Sequence, residues 1–292
     1  NRSCKAESQR LRNLINRIEF GSRLDDKNTF TGFMFLRSSK GVIDALTRMV
    51  APLPQQADRG ETLFSIGVGL RVGVALRELL DGLPSGGKSN CLAFEQFDRL
   101  IAQVRAAVTT YAAMIPPVVK AISGFYIELS QLDLDAKVSD GVRGVAMLRG
   151  DRLDGLFAMA KNVFPKLAQF KLKPDGNTER FDLAVSPLTG QRQLLANLSR
   201  TSFGLAVGGG QVQRMELLLG DKHLGRPTLV TLSYDVRRFT QSMQNIVERI
   251  AAFQGRPKGT IPKAFAASIG QFRLDLYPQG RELVLQTSVQ FR

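Results

Sequence analysis

Apolar positions along this chain change their period several times, and each change marks an element. Between 97 and 114, Phe97, Leu100, Ile101, Val104, Val108 and Tyr111 fall at helical spacing. Phe239, Met243, Ile246, Val247 and Ile250 do the same between 237 and 253. Further on the period drops to two. Phe272, Leu274 and Leu276 alternate with Arg273 and Asp275, and Pro278-Gln279-Gly280 makes a turn. Leu283, Leu285, Thr287, Val289 and Phe291 then alternate with Val284, Gln286, Ser288 and Gln290. That pattern predicts a hairpin with one wet face and one buried face.

The same reading places strands at Thr31–Leu36, Leu63–Val68, Cys91–Phe94, Phe125–Leu134, Gly144–Leu148, Ser202–Val207 and Leu229–Tyr234. Helices are predicted over Ala6–Phe20, Gly41–Val50, Val72–Leu80, Arg152–Val163 and Gln211–Leu219. Pro52 and Pro165 stop two of them, and Ser38 or Ser39 and Asp151 stand where an N-cap is wanted. Phe170 and Leu172, a Pro174-Asp175-Gly176 turn, and Phe181, Leu183 and Val185 predict an inserted hairpin.

The elements recur in one order. Phe35-Leu36-Arg37 matches Met147-Leu148-Arg149, 112 residues on. Phe64, Ile66, Val68 and Gly69 match Phe203, Leu205, Val207 and Gly208 at 139. Phe125, Ile127, Glu128 and Leu129 match Phe272, Leu274, Asp275 and Leu276 at 147. The spacing only rises along the chain, which is the mark of a duplication with insertions. The expected architecture is α+β and internally duplicated, with mixed or mainly antiparallel sheets covered by helices on one face. Residues 1–29 form an N-terminal helix and linker, 30–143 a first lobe and 144–292 a second, with one compact body as the other arrangement.

Composition narrows the class. The 292 residues are 43% hydrophobic, enough for a sizeable core. No apolar run of about 18 residues is present, so no membrane-spanning helix is expected. The chain begins at Asn1, which suggests a removed leader or a fragment. The net charge of +14 draws the protein to acidic partners: anionic ligands, lipids, envelope proteins or nucleic acid. The basic residues are spread out and lack aromatic interleaving, so nucleic acid is the weaker expectation.

Candidate chemistry is sparse. Gly82-Leu83-Pro84-Ser85-Gly86-Gly87-Lys88-Ser89 fits the spacing of a phosphate-binding loop, but a helix precedes it where a strand is needed. A polar connector is the better reading. Gly67, Gly69 and Arg71, and then Gly208, Gly209 and Gly210, follow strands and precede helices. Such joints present backbone N–H groups to an anion, or simply turn the chain tightly. Cys4 and Cys91 could form one disulfide. The lone His223 and the absence of Cys-x-x-Cys pairs leave no usual zinc set, and no cofactor is expected. Glu95 and Asp235 suit the starts of the two long helices.

These observations lead to a non-catalytic binding or assembly module of a bacterial cell envelope, periplasmic or otherwise extracytoplasmic. It would hold a lipid-like or acidic ligand, or a protein partner, between two repeats. The alternatives are a nucleic-acid-binding protein and a phosphate-handling enzyme.

Overall fold

The structure is a computed structural model, and it describes residues 15–25, 28–54, 62–82, 92–132, 141–163, 171–182, 193–220, 224–253 and 268–291. Its elements in chain order are β1 (Ile15–Leu24), β2 (Thr29–Ser38), α1 (Lys40–Met49), β3 (Pro52–Pro54), β4 (Phe64–Val68), α2 (Val72–Gly82), α3 (Leu92–Met114), α4 (Pro117–Lys120), β5 (Ile122–Leu132), β6 (Val142–Gly150) and α5 (Leu153–Val163). Then come β7 (Thr178–Asp182), β8 (Gln193–Leu198), β9 (Ser202–Val207), α6 (Gln211–Leu219), β10 (Leu224–Pro227), β11 (Val230–Asp235), α7 (Val236–Phe253), β12 (Ile269–Gln279) and β13 (Glu282–Phe291).

Eleven strands form one sheet in the order β1-β2-β13-β12-β11-β4-β5-β6-β9-β8-β7. Every neighbouring pair in it is antiparallel. The fold is therefore α+β with a mainly antiparallel sheet. β3 and β10 pair separately.

Side-chain alternation separates the two faces. Tyr126, Val145, Met147 and Ala206 point to one face and pack with Met215 and Leu218 of α6. Leu148, Ala196, Leu198, Phe203 and Leu205 occupy the alternate positions and pack with Leu153, Leu156 and Phe157 of α5. So α5 and α6 lie on opposite faces of the same strands, because both parities of β6 and β9 carry apolar residues. α7 shares the α5 face. Its Phe239 stacks on Phe64 at 5.7 Å and meets Tyr234 at 5.4 Å. The helix starts where the sequence suggests: the Asp235 carboxylate accepts the Arg238 backbone N–H at 2.9 Å and caps it.

The expected helix over Ala6–Phe20 is not what forms at 15–20. Those residues belong to β1, with Ile18 opposite Leu36 and Phe20 opposite Met34. Pairing with β2 satisfies ten residues of backbone at once and overrides a short helical period. The expected strand at Cys91–Phe94 is also corrected, because Leu92 opens helix α3. A run of so few apolar residues cannot separate strand from buried helix by period. The expected inserted hairpin is corrected, because its second arm pairs elsewhere. β7 pairs with β8, with Phe181 opposite Leu194, while residues 171–177 form no strand.

Candidate functional site

Under α5 the two layers do not close. Leu153, Leu156, Phe157 and Ala160 recur at helical spacing, so one face of the helix looks onto the sheet. Opposite them stand Leu148 of β6, Phe181 of β7, Leu194, Ala196 and Leu198 of β8, and Phe203 and Leu205 of β9. Leu172 comes in from the side. Together they line a cavity of about 290 Å³ without one polar side chain. Two of the lining residues, Ala160 and Ala196, are small. Phe157 and Phe203 form part of the wall, with ring centroids 6.0 Å apart. Lys161 is the next residue along α5, and its ammonium lies 4.8 Å from the Phe157 centroid. An apolar cavity of about half this size stays dry and accepts a benzene-sized guest. This one can hold an apolar ligand. Among the described residues its lining is wholly apolar.

The opposite face of the sheet is polar at its centre. Arg214 of α6 grips Glu128 of β5 through two bonds of 2.8 and 2.6 Å, and the Tyr126 hydroxyl donates to the same carboxylate at 3.0 Å. Burial first, and then the neighbouring Glu128 charge, push the Tyr126 phenol well above the ordinary tyrosine range. Beyond β4 and β11 on the same face, Asp275 of β12 accepts from Thr231 at 2.7 Å and from Arg273 at 2.8 Å. Arg226 lies 3.6 Å from Asp275 and over the Tyr277 ring. Both carboxylates are held by protein donors, so they work as internal packing rather than as an open site.

The two glycine joints come to different places. β4 and β9 are three antiparallel steps apart, so their C-terminal ends lie at opposite ends of the sheet. Gly67 lies within β4, and a Cβ there would stand 2.8 Å from Tyr126 Cδ2 and 3.0 Å from Leu53. The Gly69 N–H donates to the Leu229 carbonyl at 3.1 Å, and the Arg71 N–H to Met49 at 2.7 Å. The Arg71 guanidinium reaches the Arg48 carbonyl at 3.2 Å. Gly208 and Gly210 carry φ of 95° and 76°, which open the turn into α6, and Gly209 between them is exposed. Cys4, Cys91, His223 and the loop at 83–89, with Lys88, lie outside the described residues.

Among the described residues no group of acids, histidines and cysteines could hold a metal ion. No helix among them is long and apolar enough to cross a membrane. A second hollow, of about 540 Å³, lies beside Phe20, Phe30, Met34 and Leu285 near the β1 edge.

Sequence reasoning placed the helix at 152–163 and missed the cavity. The signal was there in part: Leu153, Leu156, Phe157 and Ala160 share a face. That Ala160 of α5 and Ala196 of β8 would line one cavity required the β6-β9-β8 pairing, which no local pattern encodes. Comparison with family models, curated proteins and solved structures finds no match.

Proposed function

We propose that the protein is a non-catalytic binding module whose ligand is apolar and lipid-like, held under α5. The observation that carries this is the wholly apolar cavity of about 290 Å³. Stable cores close such space, because each missing contact costs dispersion energy and apolar burial. Small-molecule sites are concave and lined mostly by apolar and aromatic side chains, as this cavity is.

The direct test is Ala160→Phe. The ring should fill the space, leave unfolding stability unchanged or raise it by about 0.5–2 kcal/mol, and abolish uptake of an apolar fluorescent probe. Undiminished uptake in a folded Ala160→Phe variant would move the ligand elsewhere.

Two further parts of this proposal rest on the sheet and on the composition. The first is that the chain is an internal duplication about the β4–β11 seam. Phe64 pairs with Tyr234 and Val68 with Val230 across it, centred on Ile66 and Leu232. On one side Ser65 stands opposite Glu128, and on the other Thr231 stands opposite Asp275. This supports equivalence of β5 with β12, the strands that the sequence match at 147 relates. Replacing residues 122–132 by 269–279 in matching register should preserve cooperative unfolding, and loss of cooperativity counts against it. The second is an envelope setting, supported by two cysteines in 292 residues and a charge of +14. Recovery only in the soluble cytosolic fraction would refute it.

A further inference from the structure

Resting on the cavity reading above, we propose that the ligand is a single acyl chain of about ten carbons ending in a carboxylate, with the chain in the cavity and the head at the Lys161 ammonium. Volume sets the chain. A cavity of about 290 Å³ is roughly twice one that takes a benzene, so it has room for one medium-length chain and not two. Lining chemistry agrees, since twelve apolar residues offer no hydrogen bond to a group within.

Charge sets the head. The Lys161 ammonium stands 4.8 Å from the Phe157 ring that walls the cavity, and no carboxylate pairs with it among the described residues. Its contact is a cation on an aromatic face, which leaves its N–H donors for an anion. Other bases adjoin the lining in sequence. Exposed Arg152 precedes Leu153, exposed Lys171 and Lys173 flank Leu172, and exposed Arg180 precedes Phe181. Asp151, Asp154, Asp175, Glu179 and Asp182 are the nearby acids in sequence, so the ammonium at the Phe157 ring, rather than a net local charge, sets the head.

The experiment is calorimetric titration of the full chain with saturated carboxylates of rising length and with the matching alcohols. Affinity should rise about fourfold per methylene and level off near ten carbons. At low salt decanoate should bind about two- to fivefold more tightly than decanol. That gap should close in Lys161→Gln, reopen in Lys161→Arg, and shrink with added salt in the parent. Equal binding of decanoate and decanol in the parent overturns the charged head and leaves the cavity reading standing. So does an equal loss of both in a folded Lys161→Gln. Affinity that keeps rising far beyond ten carbons overturns the chain length. If neither series binds, the cavity reading itself fails.

Discussion

Glu128 is 5% exposed and Asp275 3%, yet each is held by an arginine within its own half of the sheet. A buried carboxylate survives only with such partners, because unpaired it would face the cost of leaving water. Removing one partner is therefore worse than removing both. Arg214→Met should cost about 3–5 kcal/mol in denaturant unfolding, and adding Glu128→Gln should recover part of it. Tyr126 allows a test by pH. Burial raises its pKa in the fold above the ordinary value near 10. Between the unfolded and folded values the folded chain keeps a proton that the unfolded chain loses. This contribution is thus full below about pH 10 and falls as pH rises. In Tyr126→Phe, measured by alkaline unfolding, that extra slope should disappear. None of this pairing was legible in the chain: Arg214 and Glu128 lie on different elements, and only their meeting across the sheet gives either a role.

At the scale of elements, the local rules held where an element makes its own signal. α7 begins after an acid and carries a long apolar stripe. Asp235→Ala should lower stability by about 1 kcal/mol through loss of the cap, read as a shift in the denaturant midpoint at constant slope. α5 was legible for the same reason. β1 was not, because Leu11, Leu14, Ile15 and Ile18 suit a helix while Ile18, Phe20, Ser22 and Leu24 suit one face of a strand. The second pattern won by pairing with β2, which neither period reports. Phe20 is left 78% exposed at the sheet's edge, an arrangement open to further strand pairing.

For the whole molecule, the sheet joins distant parts of the chain. β2 pairs with β13, with Gly32 opposite Thr287 and Phe35 opposite Val284. Deleting residues 282–292 should therefore expose 15–38 to limited proteolysis while leaving the β5-β6-β9-β8 side protected. Equal protection of both regions would mean that the two ends stand independently. Such pairing lies beyond local pattern, which explains why the class and most elements could be read and the strand order could not. The central β6 strand has one more consequence. Met147 faces α6 and Leu148 faces the cavity, one peptide bond apart. A spectroscopic label at 148 should respond to an occupant, while the same label at 147 should stay silent. Neighbouring positions thus provide a reporter and its own blank, separated by the thickness of a single strand.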